Sequence, residues 1–269
     1  MISINLTIFN KGFLIERVVN AIKTMTTSEY ELIIVLDGCI DNSENIVLEF
    51  FKNNKNIKHK IFYADNIFET KANNIAAKNS EGDIIIIVQD DIIVNEYGWD
   101  KRLIKPILNF DDVISVSANC AHDWIYNPNN KSEKLNYYPN DYWCDILKDV
   151  NHVRRGEIPR DIFAIRSTSN RGPLAIKHID FERLDYFDEA FSPQIDDDHD
   201  LHYRAFENLG KITGLYWIDF ISEGHWGATR SGNSYSWLLP TTHKNQKLLW
   251  NRHKIQILNI RSAENRILL

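Results

Sequence analysis

Residues Ile84-Ile85-Ile86-Ile87-Val88 form an unbroken β-branched run, opened by Gly82-Asp83 and closed by Gln89-Asp90-Asp91. The run is too short for an independent helix and has no polar alternation, the pattern of a strand buried on both faces. Such a strand needs a layer of structure on each side, so a central parallel strand of an α/β sheet is expected here. Asp90 and Asp91 then fall at its carboxyl end, where open α/β sheets present ligand sites. Adjacent carboxylates there can hold a divalent cation and, through it, a phosphate. The plain alternative is that two aspartates end a strand in a turn.

The chain before this run reads as alternating strands and helices. Ile2, Ile4, Leu6 and Ile8 alternate with Ser3, Asn5 and Thr7, a period-two pattern that ends at Phe9-Asn10-Lys11-Gly12. Leu14, Val18, Ile22 and Met25 recur at helical spacing, and a short apolar run from Glu31 to Leu36 ends at Asp37-Gly38. Asp41, Asn42 or Ser43 can cap a helix whose apolar face is Ile46, Val47, Phe50 and Phe51, and a third strand follows near Ile61 to Tyr63. Thr70 can cap a further helix to about Asn79, with Gly82 just beyond its end. Alternation of this kind predicts a doubly wound, mostly parallel sheet with right-handed crossovers.

After the acidic pair, Trp99 to Leu108 reads as a helix interrupted by Pro106, and Val113 to Val116 as a strand. Residues Cys120 to about Arg160 are polar, aromatic and aperiodic, and a stretch this long suggests a substrate-facing lid, with a disordered insertion as the alternative. Regularity returns with a glycine-led strand at Gly172-Pro173-Leu174-Ala175-Ile176 and a short helix to Phe187. Asp196 to Asp200 open a helix that Gly210 stops, strands are expected near 212–216 and 220–221, and the segment 237–269 reads as a helical extension packed on the domain. The expected organisation is one domain over 1–236, in two halves (1–91 and 92–236) that meet at the acidic pair.

Composition narrows the function classes. A net charge of −6 with scattered basic residues gives no electrostatic reason to bind nucleic acid. Cys39, Cys120 and Cys144 are far apart and form no C-x-x-C or zinc spacing, which fits a reducing compartment. No long apolar segment and no signal-peptide pattern is present, so a protein that is soluble or bound only to a membrane surface is expected, with peripheral membrane contact or a homodimer contact through the basic, tryptophan-containing tail as further expectations.

Chemistry can reside in few places. Asp196-Asp197-Asp198-His199-Asp200 crowds four carboxylates into one helix start; such groups repel one another unless cations or a proton-accepting role hold them there. A carboxylate so placed can take a proton from a substrate hydroxyl. His225 follows a strand between Gly224 and Gly227, a setting that presents its ring, and imidazole with carboxylate suits manganese. Asp37 is a turn residue by default, or a contact to a base or ribose.

These landmarks in this order resemble the GT-A-type inverting glycosyltransferases of family 2, which use nucleotide-diphosphate sugars. Ser3 to Asn10 resembles that family's first strand and its aromatic-Asn exit, with Thr7 where proline is usual, which implies donor contacts from Thr7, Phe9 and Asn10. Val35-Leu36-Asp37-Gly38-Cys39-Ile40-Asp41 is similar to its DDGS-x-D turn, with only Asp37 left to meet the base. Lys71 to Ala76 resembles the helix before the metal motif, and Gln89-Asp90-Asp91 occupies the Asp-x-Asp motif with glutamine first. The resemblance implies Asp91 as direct metal ligand, with Lys71, Asp90 and Gly172 on the donor. Arg171 to Ile176 and Phe187 to Phe191 resemble the segments lining donor and acceptor pockets; Asp197 to Leu201 is similar to the ED-x-DL motif. There Asp198 falls on the catalytic base and Asp197 on the acceptor side. His225 matches the histidine that completes the metal site, and Trp226 is a candidate sugar platform.

The activity thereby implied is transfer of a sugar, with Mn²⁺ or Mg²⁺, from a nucleotide-diphosphate donor to a hydroxyl of a saccharide or lipid-linked saccharide acceptor, in surface polysaccharide or glycan synthesis. A sugar nucleotidylyltransferase would use a similar domain, but Asn10-Lys11-Gly12 is too sparse for its glycine-rich basic loop. A non-catalytic nucleotide-sugar or saccharide-binding module is the alternative suggested by Gln89 and Leu36.

Overall fold

The computed structural model describes residues 1–126, 135–137, 142–143, 160–223, 225–227, 235–259 and 264–268. In chain order the elements are β1 (Ile2–Ile8), α1 (Ile15–Met25), β2 (Tyr30–Asp37), α2 (Ser43–Asn53), β3 (Lys58–Ala64), α3 (Phe68–Lys78), β4 (Ile84–Gln89) and β5 (Ile93–Val94). Next come α4 (Trp99–Asn109), β6 (Val113–Ser117), β7 (Cys120–His122), β8 (Trp124–Tyr126), β9 (Leu135–Tyr137), β10 (Tyr142–Trp143), β11 (Ile162–Arg166) and β12 (Thr168–Ser169). The remainder is β13 (Leu174–Lys177), α5 (His178–Arg183), a 3₁₀ turn (Glu189–Phe191), α6 (Asp197–Leu209), β14 (Ile212–Leu215), β15 (Phe220–Ile221), α7 (Tyr235–Leu258) and β16 (Glu264–Ile267).

Among the described residues, nine strands form the main sheet in the order β16-β11-β14-β6-β13-β4-β1-β2-β3. The β-branched run is β4, parallel to β1 on one side but antiparallel to β13 on the other. Its alternate residues feed two layers. Ile84, Ile86 and Val88 join Ile4, Leu6, Leu32 and Ile34 beneath α1, α2 and α4, while Ile85 and Ile87 pack with Leu174, Ile176, Phe181 and Leu201 on the α5 and α6 side. Each fully buried aliphatic side chain contributes about 1.5–3 kcal/mol, which is why such a run settles only at the centre of a covered sheet.

The alternation in β1 does not mark a solvated face. Ser3 and Asn5 are fully buried under α3, where Ser3 Oγ donates to Glu31 at 2.6 Å and Ser80 Oγ donates to Asn5 Oδ1 at 3.1 Å. Thr70 does not cap α3 either. The first amides of that helix, from Ile67 and Phe68, donate to the two carboxylate oxygens of Asp37 at 2.8 Å each, so the end of β2 fixes the start of α3.

Much of the expected lid lies outside the described residues; the described part contains short strands, β7 and β10 among them, that pair antiparallel with one another. The C-terminal segment is helical only in part. α7 begins at Tyr235, ahead of the expected boundary at 237, and the chain then adds β16 antiparallel to β11 at the sheet edge. Leu249 and Ile257 of α7 pack with Phe191 and Tyr203, and the Asn245 amide donates to the carbonyls of Phe191, Gln194 and Ile195 at 2.7–2.9 Å. No described helix is long and apolar enough to cross a membrane.

α6 is held to the sheet by a buried polar knot. The Ser169 amide donates to His202 Nδ1 at 3.3 Å, which leaves Nε2–H to donate to Ser115 Oγ at 2.8 Å. Burial, with smaller contributions from the charges of His199 and Arg204, pushes His202 down to about 3. A depressed folded value means stability that is fully present above about pH 6.5 and lost as pH falls from there toward 3, at up to about 1.4 kcal/mol per pH unit. Urea midpoints are therefore expected to fall between pH 6.5 and pH 4 more steeply in the native protein than in His202→Gln, and equal slopes would show that this ring does not carry the dependence.

Candidate functional site at the carboxyl ends of β1, β2 and β4

Parallel strands that end together leave a crevice beyond their carboxyl ends. Here it is a cavity of about 120 Å³ lined by Thr7, Phe9, Lys11, Asp37, Glu69, Gln89, Asp90, Asp91 and Gln194, among others. Of the residues expected to meet the donor, Thr7, Phe9, Asp37 and Asp90 line it. Asn10 does not: it sits at φ 51° and its Oδ1 accepts the Ile40 amide at 2.8 Å, tying the loops after β1 and β2 together. Lys71 is half-buried on α3 and is not part of the lining.

Asp90 is held by its surroundings. Its Oδ2 accepts the Phe9 amide at 2.9 Å and its Oδ1 lies 3.3 Å from Lys11 Nζ. Burial pushes Asp90 up to about 7, with Lys11 opposing and Asp91 reinforcing the rise. Asp91 is raised in the same way, mainly by burial and further by the charge of Glu69, with Lys11 again opposing. The 225–227 turn packs against this end: a Cβ built on Gly227 would lie 2.9 Å from Asp91 Oδ2. His225 is on that turn, but its ring is largely exposed and lies 3.4 Å from Glu223 Oε2. Trp226 is 5% exposed within the main core, with the Arg17 guanidinium 5.0 Å from its ring centre. That burial leaves the indole no face for a sugar. Its contribution to the site is its backbone carbonyl, which accepts from Lys11 Nζ.

β13 connects the acidic pair to the aspartate-rich helix. Leu174 opposes Ile87, which places Gly172 beside Gln89. Gly172 has φ 96°, and a Cβ there would lie 2.3 Å from Gln89 Oε1, so both conformation and space require glycine. The Gln89 amide donates to Glu69 Oε1 at 2.9 Å; Arg171 Nε is 3.3 Å from the same oxygen; and Arg171 Nη1 reaches Asp197 Oδ2 at 2.5 Å. The Arg171 guanidinium also lies 5.2 Å from the centre of the Phe187 ring.

This arrangement explains the four carboxylates. Asp196 Oδ1 meets the His199 ring at 2.9 Å, Asp197 meets Arg171, and Asp200 meets Arg204 at 2.6 Å, His253 at 2.9 Å and Arg252 at 3.2 Å. Burial alone would keep the His199 ring neutral, but the charges of Asp198, Asp196 and Asp197 raise it. Asp198 differs from its neighbours. Its Oδ2 accepts the backbone amide of Arg171 at 3.1 Å and its Oδ1 that of His199 at 2.9 Å, with the His199 ring farther off at 3.8 Å. Asp197, expected on the acceptor, is instead fully buried on Arg171 and is an anchor of the scaffold.

Among the described residues, no three His, Cys, Asp or Glu side chains are placed to cage a metal ion. The donor set fits instead a cation that arrives with a diphosphate and takes one or two protein carboxylates, the usual mode for magnesium; Asp91, lining the cavity, would supply that oxygen.

The sequence profile described as Glycosyl transferase family 2 matches residues 3–171. The chain belongs to glycosyl transferase family 2. No curated protein matches this family 2 chain by sequence. Its fold is similar to that of S. aureus TarS 1-349 in complex with UDP (TM-score 0.54, 14% identity, 82% of this chain and 60% of that one). It is also similar to the mannosyltransferase PcManGT from Pyrobaculum calidifontis in complex with GDP-Man and Mn²⁺ (0.60, 13%, 96% and 63%). A third likeness is glucosyl-3-phosphoglycerate synthase from Mycobacterium tuberculosis in complex with Mn²⁺, UDP and glucosyl-3-phosphoglycerate (0.58, 14%, 100% and 88%). The chain thus spans under two thirds of the TarS and PcManGT structures. At these identities the likeness establishes the GT-A architecture of the family 2 chain.

Lys11, Glu69 and Gln194 line the site without having been singled out by sequence. Lys11 carried a signal, a cation in the exit loop of a parallel strand. Glu69 and Gln194 carried none, because they arrive through the packing of α3 and of the loop before α6.

Proposed function

We propose that this chain transfers a sugar from a nucleoside-diphosphate donor to a hydroxyl of a saccharide or lipid-linked saccharide, with inversion at the anomeric carbon, using Mn²⁺ or Mg²⁺. The observation that carries the reading is Asp198: at the start of α6, not itself among the cavity's lining residues but joined to Glu69 of its wall through Arg171, it is the carboxylate of its cluster held by backbone amides rather than by a side-chain cation within 3.5 Å. A carboxylate so held stays oriented and able to take the proton that the acceptor hydroxyl loses. Thr7, Phe9 and Asp37 form the wall for the nucleoside. A bound divalent ion would neutralise charge developing on the departing diphosphate, with Asp91 as its carboxylate and His225, on the turn against Asp91, as the second candidate ligand. The UDP, GDP-Man and Mn²⁺ in the structures of similar fold support this assignment.

A thermal-shift screen of nucleoside diphosphates with and without MnCl₂ tests it. At least one nucleotide is expected to raise the melting temperature, more so with manganese, and no shift with any of them would reject the donor site. In Asp91→Ala the manganese-dependent part of nucleotide affinity, read by calorimetry, is expected to fall by about 10-fold or more. An unchanged increment would remove Asp91 as ligand.

A further inference from the structure

Lysine is almost never fully buried unless its charge has a partner, yet Lys11 is 1% exposed. Its position is fixed from the backbone outward. The Lys11 amide donates to Ser43 Oγ at 2.8 Å, and its carbonyl accepts the amides of Leu14 and Ile15 at 2.8 Å each, so the backbone of the loop after β1 is held in place. The side chain lines the cavity, and its ammonium meets Asp90 and the Trp226 carbonyl. An ammonium has three N–H donors. Asp90 and the Trp226 carbonyl can take two of them, and the side chain borders a cavity whose other charged described residues, Asp37, Glu69, Asp90 and Asp91, are all acidic. Among the described residues that line the site, Lys11 is the positive side chain that an entering diphosphate would meet.

We propose that Lys11 is a resident cation of the donor site, which donates a hydrogen bond to the diphosphate of the bound nucleotide and gives donor binding a component independent of divalent metal. The inference rests on the donor-site reading above. It also assigns the two aspartates different work: Asp90 holds the ammonium in place, and Asp91 remains for the divalent ion. The competing role is purely structural, a tie between the end of β4 and the 225–227 turn.

Calorimetry of UDP or GDP, whichever the thermal-shift screen ranks first, in EDTA and in MnCl₂ distinguishes these roles. In EDTA the native protein is expected to bind the diphosphate, and to bind it at least about 10-fold more tightly than the corresponding nucleoside, from one charge-assisted hydrogen bond. Lys11→Met is expected to lose that advantage and Lys11→Arg to keep part of it. Equal affinity for diphosphate and nucleoside in EDTA overturns the proposal with no variant needed, as does a folded Lys11→Met that binds in EDTA like the native protein. Manganese-supported binding with no binding in EDTA also overturns it while leaving the donor site standing. Absence of nucleotide binding under both conditions rejects the donor site itself, and the role of Lys11 with it.

Discussion

Asp198→Asn is expected to bind nucleoside diphosphate as the native protein does and to lose about 10²- to 10⁴-fold in turnover, the range contributed by a positioned general base. Both oxygens of Asp198 accept backbone amides, from Arg171 and from His199. An asparagine can offer its carbonyl to only one of them and must turn an NH₂ group toward the other, so the substitution removes the base and disturbs its seat together. Donor affinity by calorimetry, transfer or slow donor hydrolysis by product analysis, and the melting temperature separate these consequences. Native turnover in a folded variant would eliminate Asp198 as the proton acceptor. The same scan at Asp200 is not equivalent, because Asp200 is engaged by Arg204, His253 and Arg252 and belongs to the packing of α7 on α6.

Much of this architecture is legible in the sequence because hydrophobic period and turn chemistry are local. The Ile84–Val88 run, the stop of α6 at Gly210 and the strand–helix alternation before Gly82 all specify their elements from neighbours within a few residues. What fails to read locally is decided by distant partners. β1 looks half-solvated, yet Ser3 and Asn5 are buried because Glu31 and Ser80 supply their hydrogen bonds. Residues 264–267 carry no strand pattern and become β16 because β11 offers an unpaired edge. The site follows the same rule. Residue types point to the carboxylates at the end of β4 and the start of α6, but whether a given aspartate faces a ligand or a buried cation depends on Arg171, His199 and Arg204. Asp197 is expected on the acceptor by its place in a motif and Trp226 as an aromatic platform, and burial in the folded chain gives both to the scaffold.

Arg171 carries the largest expected effect on stability. Its guanidinium is 6% exposed and joins the donor side, through Glu69, to the base helix, through Asp197, while its own backbone amide holds Asp198. The charges of Asp197, Glu69 and Asp198 raise it despite burial, so it remains a cation throughout the working pH range. Arg171→Met keeps much of the side-chain volume and the backbone donor but strands a fully buried Asp197 carboxylate. Breaking a buried pair in this way costs about 3–5 kcal/mol, because the uncompensated charge stays behind. The urea midpoint should fall accordingly. Removing the second charge as well, in Arg171→Met/Asp197→Leu, should recover a large part of that loss, since an apolar pair of similar size avoids the stranded charge. A single variant as stable as the native protein would show that the guanidinium does not hold α6. If the double variant regains stability but not turnover, the pair serves to position Asp198 for the reaction, since a merely structural pair would restore both together.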